Sequence, residues 1–267
     1  MEVREYRYAG PDGEGIANLP EGVGAAIGSE YCIHLLPGAE KLAAAVSATR
    51  ERKVPMLLLT PYFRDDELKR TMPLFRSVPS GAAVDVAVND WGVLFTLHTL
   101  FPRLRLSLGR LLSGQKRCPR VGVSAALTPE GRAWHGEGVF SSAAARDFLA
   151  KEFGVSGYHV DSLEWCSSAL EKPPADGPSG GTCIYVHDPF AVITVSDRCP
   201  WIGGKSSSAV SSCDRPCRDG AVILREPSMG GDMIQRGKAR FSHAGAPHPV
   251  IRPGGDPPRV VRYDDVP

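Results

Sequence analysis

The chain has 267 residues, with 31 Lys and Arg against 30 Asp and Glu and a formal net charge of +1, which argues against a general polyanion or nucleic-acid binder. Its longest apolar runs, such as Val54 to Leu59 interrupted by Pro55, are far too short to span a bilayer. No N-terminal apolar segment follows a basic start, and seven cysteines are an odd number far below the density of a disulfide scaffold, so a reduced, cytoplasmic compartment is expected.

Residues 1–20 are polar and Gly-containing and read as a loose lead-in, ahead of one domain over 21–241 and a tail over 242–267. Val23 to Ile27 is a first buried strand that delivers Cys32 just past its C-terminal end. Glu40 to Arg52 has helical spacing, with Leu42, Ala45, Val46 and Ala48 on one side, and VPMLLLT (Val54 to Thr60) follows as a strand. Asp65 to Phe75 predicts a helix with Leu68, Met72 and Phe75 inward, then Val84 to Asp90 a strand, Trp91 to Leu100 a helix and Leu104 to Gly109 a strand. Ser141 to Phe153 reads as a helix opened by a Ser cap, and Gly157 to Ser162 as another strand. Strands alternating with helices of about ten residues mean βαβ units and a parallel sheet, so the expected fold is α/β with a TIM-barrel-like (β/α) core, closed or left incomplete. The alternation stops near residue 170. Beyond a Pro/Gly linker (Lys172 to Gly181), CIYVHDP and AVITVS read as arms of a hairpin turning at Asp188 and Pro189, which makes the C-terminal segment β-rich. From Ser242 onward Pro, Gly and His dominate, and the tail is expected to be poorly ordered.

Four cysteines form one pattern: Cys32 alone, then Cys199, Cys213 and Cys217 close together. In Cys-Asp-Arg-Pro-Cys a Pro turn can aim two sulfurs at one point, and the intervening PWIGGKSSSAVSS has the composition of a loop around a bound centre. One distant ligand and three local ones differ from the paired ligands of a self-contained zinc finger. Four thiolates suit tetrahedral zinc and an iron–sulfur cluster alike, and ordinary buried thiols or disulfides are the bland alternative. His34, two residues after Cys32, is a further ligand candidate, although a lone loop histidine is more often hydrogen-bonded or on the surface.

In a parallel sheet, ligands belong at the C-terminal ends of strands. Cys32, Asn89, Asp90 and Arg110 fall there. Asn89 and Asp90 can equally be a helix cap for the Trp91 helix. From Trp91 to Pro129 there is no acidic residue, while Arg110, Lys116 and Arg117 lie inside. Such a run is most often a solvated face, but it also suits an anionic substrate or the negative charge of a thiolate-bound cluster. Two weaker patterns are Gly22-x-Gly24-x-x-x-Gly28, one residue too long for a dinucleotide fingerprint, and Cys183 with His187, too far apart along one strand for direct contact.

The segment VAVNDWGVLFTLHTLFPRLRLSLGRLLSGQKRCPR (Val86 to Arg120) resembles the peptidase U-32 family, also called the collagenase-like protease family: a strand ending in Asn-Asp, a helix, a strand ending in Leu-Gly-Arg-Leu-Leu, and a Lys-Arg-x-Pro-Arg element. LLLTPYFRDDEL (Leu57 to Leu68) and AIGSEYC (Ala26 to Cys32) resemble two further family elements, and the resemblance runs from about residue 22 to about 240. It is closest to the short, single-domain iron–sulfur branch of oxygen-independent ubiquinone hydroxylation. Cys118 departs from the family pattern, which commonly has Asp there, and leaves open a fifth thiol near the site. The chain also has a short Pro-rich tail in place of an accessory domain.

The resemblance implies a [4Fe-4S] cluster on Cys32, Cys199, Cys213 and Cys217, with zinc as runner-up. It implies redox chemistry on a small-molecule or quinone-precursor substrate beside a homologous partner subunit in a heterodimer. Asp90 is then expected to move a proton, Arg110 to hold an oxygen-donor anion, and Asn89, Lys116 and Arg117 to bind substrate. A U-32-type peptidase and a non-catalytic iron–sulfur partner are the rival expectations; no nucleophile, base and orienter set for peptide hydrolysis is visible.

Overall fold

The computed structural model describes residues 5–79, 81–163, 165, 183–206, 209–218, 220–243 and 259–264. Its core is a closed parallel barrel of β1 (Glu5–Tyr8), β2 (Gly24–Gly28), β3 (Met56–Leu59), β4 (Val84–Val88), β5 (Arg105–Leu108), β6 (Val155–Asp161), β7 (Cys183–Asp188) and β14 (Arg259–Arg262). β14 lies between β7 and β1 and completes the circle. Helices α1 (Ala39–Glu51), α2 (Asp65–Arg76) and α3 (Trp91–Leu100) follow β2, β3 and β4, while α4 (Arg120–Val123), α5 (Pro129–Gly136) and α6 (Ala143–Phe153) lie between β5 and β6. A TIM-barrel-like α/β architecture is therefore observed, and it is closed.

Alternation along each strand sorts two layers. Ile27, Met56, Leu58, Val86, Val88, Leu106 and Val160 point outward and cluster with Leu42, Phe75, Leu94 and Leu149 of the helices. Buried apolar side chains of this size each contribute about 1.5–3 kcal/mol. The helices begin where the sequence supplies caps: Asp90 Oδ1 accepts from Val93 N at α3, and Ser142 accepts from Ala145 N at α6, which ends on the left-handed Gly154.

The lumen is partly polar. Asp85, Ser107, His159 and His187 point inward among Tyr6, Leu57, Ala87, Tyr185 and Val261. At its lower end Tyr185 donates to Asp85 Oδ2 (2.8 Å), Arg105 pairs with Asp85 Oδ1 (2.6 Å), and Arg259 donates to the Tyr185 hydroxyl (2.8 Å). Above lies a hydrogen-bonded chain: Ser107 Oγ is 3.3 Å from the Val86 carbonyl and 2.9 Å from His159 Nε2, His159 Nδ1 is 2.7 Å from His187 Nε2, and His187 Nδ1 is 2.7 Å from the Tyr263 hydroxyl.

Between β7 and β14 the chain leaves the barrel. β8 (Phe190–Val195), β11 (Val222–Leu224), β12 (Met233–Arg236) and β13 (Ala239–His243) form an antiparallel sheet in the order β11-β12-β13-β8, beside the short pair β9 (Arg198–Cys199) and β10 (Lys205–Ser206). This sheet lies over the C-terminal mouth, where Phe241 meets Tyr31 edge-on at 5.2 Å.

Three expectations need correction. CIYVHDP and AVITVS are not a hairpin: β7 pairs in parallel with β6 and β14, and β8 pairs with β13. β7 is apolar or hydrogen-bonded on both faces, as an interior barrel strand must be, and the chain turns at Asp188 and Pro189 out of the barrel and across its mouth. The loose lead-in contains β1, and the expected tail contains β14. Both are four-residue strands whose alternate side chains, Tyr6 and Val261, fill the lumen. Lys172 to Gly181 and most of the tail lie outside the described residues.

The lumen histidines generate a pH prediction. Burial lowers the His159 imidazole to about 3, with Arg110 adding to the shift and Glu30 opposing it; burial, Arg110 and His159 hold His187 well below its usual value. The unfolded chain takes up these protons near pH 6.5 and the folded one does not, so stability is full above that pH. It falls as pH drops toward 3, by about 1.4 kcal/mol per unit per histidine. Urea midpoints should therefore decline between pH 7 and 5, before unfolded carboxylates titrate; a level midpoint over that interval contradicts neutral buried imidazoles.

Candidate metal centre and the cavity beside it

The C-terminal rim is organised by one buried guanidinium. Arg110, fully buried, donates through Nε and Nη2 to Glu30 Oε2, through Nη1 to Asp161 Oδ1 (2.8 Å) and the Phe190 carbonyl (3.0 Å), and through Nη2 to the Tyr31 hydroxyl. All five of its N–H groups thus find acceptors. Burial alone would raise the Glu30 carboxyl; the charge and hydrogen bonds of Arg110, helped by His159 and Asn89, hold it below the usual carboxylate range. Asp161 also accepts from Arg117 (3.3 Å) and from Val192 N (3.2 Å), joining β6 to the covering sheet.

Two glycines permit this packing. Gly28 has φ +87°, and a Cβ there would lie 2.4 Å from the Leu59 carbonyl oxygen; at Gly109 it would lie 2.3 Å from Asn89 Oδ1. Asn89 stitches three strand ends, donating to the Thr60 carbonyl (2.8 Å) and to Glu30 Oε1 (3.4 Å) and accepting from Leu111 N (2.8 Å).

The rim also gathers the cysteines. Cys32, immediately after β2, and Cys199, Cys213 and Cys217, from the segment between β8 and β12, line one cavity together with His34, Leu35, Trp201, Arg215 and Lys238. Cys199 and Cys217 are buried, and none of the four forms a disulfide. Burial pushes the Cys217 thiol up to about 11, with Cys32, Cys199 and Cys213 adding to the rise. Burial also raises Cys32, opposed by the His34 backbone and by Lys238.

Arginines fasten the late cysteines to the barrel. Arg215 pairs with Asp12 (2.7 Å) and donates to the Leu36 carbonyl, Arg218 pairs with Glu14, and Arg236 donates to the Cys217 carbonyl (2.8 Å). Among the described residues no three His, Cys, Asp or Glu side chains are gathered on the scale of a single ion. The void between the thiols is about 20 Å³, room for about one water. The donor chemistry fits a thiolate-bound centre, but a centre larger than one atom requires the loop carrying Cys199, Cys213 and Cys217 to stand further out than it does here.

A second cavity, of about 280 Å³, lies beside the first. It is lined by Tyr8, Glu14, Tyr31, Arg218, Arg236 and Asp264, and it shares Cys32, Leu35, Cys217, Gly237 and Lys238 with the cysteine cavity. Two of the four thiols therefore face both spaces.

None of Asn89, Asp90, Arg110, Lys116 and Arg117 lines either cavity. Asp90 caps α3, Lys116 is exposed, and Arg117 is held between Asp161 and the Arg110 carbonyl (2.7 Å). An anion at Arg110 would have to displace one of its present acceptors. Cys118 stands apart from the four thiols, beside Arg120 (3.3 Å), whose hydrogen bond and charge overcome burial and lower its thiol pKa. Tyr31, Glu30, Asp161 and Lys238 escaped the sequence reading. Glu30 and Tyr31 lie in AIGSEYC, directly before the first cysteine, and Asp161 falls in phase with the inward positions of β6, so position relative to a strand end could have found them.

Neither a protein-family model nor a curated protein matches the chain. Among solved structures it is similar to "The Structure of the U32 Peptidase Mk0906", with a TM-score of 0.47 and 11% identity over 98% of this chain and 92% of that one. A likeness at that level assigns no activity, and the barrel rests on its own strand pairing.

Removing the guanidinium should be costly. Arg110→Met leaves Glu30 buried without its counter-charge and Asp161 with Arg117 alone, and should destabilise the fold by about 3–5 kcal/mol, as for other broken buried ion pairs. Arg110→Lys, with fewer donors and no planar fork, should fall between Met and the native residue. Chemical denaturation of the three proteins checks the order; equal stabilities would mean that the rim does not depend on Arg110.

Proposed function

We propose that the protein is an iron–sulfur redox protein of the U-32 type, in which Cys32, Cys199, Cys213 and Cys217 hold a [4Fe-4S] cluster and the adjoining cavity of about 280 Å³ receives a small-molecule substrate. The observation that carries this reading is the shared wall: Cys32 and Cys217 face both the four-thiol cavity and the larger one. A centre held there would exchange electrons with whatever occupies the neighbouring space. Four thiols lining one cavity are a complete ligand set for a polynuclear iron–sulfur centre, and the sequence resemblance favours that centre over zinc; admitting it requires the loop carrying Cys199, Cys213 and Cys217 to stand further out.

The chain's own residues then have separable tasks. Tyr8 and Tyr31 offer aromatic surface to the cavity, and the Tyr31 hydroxyl is fixed by Arg110 and donates to Glu30 Oε2 (3.2 Å). Glu14, Asp264, Arg218, Arg236 and Lys238 give the walls charge of both signs, which suits a polar small molecule more than a long peptide. Oxygen-independent hydroxylation, with a quinone precursor as substrate, remains the reaction class that the sequence resemblance favours. A homologous partner subunit is supported by the apolar outer face where α3 meets α6, on which Trp91, Phe95 and Phe148 stand more than half exposed. Peptide hydrolysis finds less support: Ser107 and His159 are within hydrogen-bond distance but buried in the lumen, away from either cavity.

Purification without oxygen should yield a brown protein with about four iron and four sulfide per chain. Changing any of the four cysteines to Ala should remove most of the iron, whereas Cys118→Ala and Cys183→Ala should not; Cys166, a further control, lies outside the described residues. One zinc per chain with no iron would sink the proposal.

A further inference from the structure

At the opposite end of the barrel from the thiols lies a cavity of about 320 Å³. It opens between the end of α1 and the residues that lead into two strands, Val54 and Pro55 before β3 and Gly81 to Ala83 before β4. Its buried walls are apolar, built from Val46, Val54 and Val84. Thr49 is buried there too, but its hydroxyl donates to the Ala45 (3.1 Å) and Val46 (3.0 Å) carbonyls, and Pro55 has no N–H to offer. Charge enters at the mouth, where the exposed Arg50 and Lys53 line the same cavity and no acidic side chain does. Among the described residues, neither cation makes an ion pair or a side-chain hydrogen bond. Lys53 stands just past α1 with φ +55°, the left-handed conformation in which glycine commonly closes a helix, so a lysine is held there against a conformational cost. Cations near a helix C-terminus also suit its dipole, but any position in the last turn would serve that role, and it does not explain a lysine at the strained one.

We propose that this cavity binds a small amphipathic anion, a carboxylate on a compact apolar body, with Arg50 and Lys53 holding the carboxylate and Val46, Val54 and Val84 enclosing the body. The site is independent of the iron–sulfur reading, because it shares no residue with either cavity on the thiol rim. Its volume, about 320 Å³, falls in the range of small-molecule sites. The lining decides the ligand class. A sugar-like body would give up its water to walls whose polar groups are already satisfied, a bare inorganic anion would leave the apolar walls wet, and a neutral hydrocarbon would leave both cations unused. The planar fork of Arg50 suits the two oxygens of a carboxylate, and the Lys53 ammonium adds a point charge beside it.

The test is isothermal titration calorimetry of the full chain with hexanoate, hexanol and hexylammonium at low salt. Hexanoate should bind saturably, on the order of tenfold more tightly than hexanol, as a charge-assisted contact predicts, and hexylammonium should not bind. The double variant Arg50→Gln, Lys53→Gln should lose that preference and bind hexanol as the native protein does. Ala83→Trp, a substitution at an exposed position of the cavity wall, should block both ligands. Lys53→Gly puts glycine where the left-handed conformation favours it, so it should raise the urea midpoint while weakening hexanoate alone. Hexanoate binding that survives Ala83→Trp lies elsewhere, such as on the apolar face of Trp91, Phe95 and Phe148, and overturns the inference. Equal affinities for hexanoate and hexanol, or no saturable binding of hexanoate, also overturn it. Should the double variant fail to fold, Lys53→Gly decides: native affinity for hexanoate sinks the proposal, and weakened affinity with a raised midpoint upholds it.

Discussion

The Arg110 guanidinium is the constraint on which the C-terminal half of this protein depends. It sits where β5 ends and reaches acceptors from three other parts of the chain: Glu30 and Tyr31 after β2, Asp161 at the end of β6, and the Phe190 carbonyl at the start of the covering sheet. A buried charge is tolerable only when its partners are complete, so these elements must arrive together. The barrel ends, the position of Cys32 and the first turn of the covering sheet are consequences of a single satisfied fork.

The cysteine cavity follows from that arrangement. Cys32 comes two residues after Glu30, so fixing the carboxylate at Arg110 fixes the first thiol as well. The other three thiols come from a long excursion between β7 and β14, which can reach the rim only because β7 ends beneath it. Arg215, Arg218 and Arg236 then fasten the excursion to the barrel through Asp12, Glu14 and main-chain carbonyls. Exposed ion pairs contribute little individually; their value here lies in registering a loop whose own strands are short.

Much of the barrel was legible because its strands and helices obey period rules. Trp91 to Leu100 emerges with its observed limits, and the strand expected over Val84 to Asp90 starts at Val84 but stops at Val88, because Asp90 caps the helix. The four cysteines were legible as a set because thiols of that spacing have few chemical uses. The strands β1 and β14 were not legible. Four residues carry too little periodic signal, and both lie in segments whose composition suggests loose chain. The supposed hairpin failed for a related reason: two adjacent strand-like runs reveal their periodicity but not their partners, and β7 finds its partners in β6 and β14.

The site residues divide along the same line. The sequence by itself determined that Arg110 follows a strand end, that the stretch from Trp91 to Pro129 is without acids, and that Cys32 follows another strand end, because each is a local property of the chain. Only the tertiary structure decided that Arg110 turns inward to Glu30 and Asp161, that Asp90 serves α3 as a cap, and that Lys238 stands among the thiols. It also decided that the roomy cavity lies beside Cys32 and Cys217, away from Asn89, Lys116 and Arg117. A side chain's neighbours across a barrel mouth depend on closure of the whole circle, including a last strand, β14, that begins at Arg259, far along the chain from the end of β6 at Asp161, and no local pattern encodes that distance.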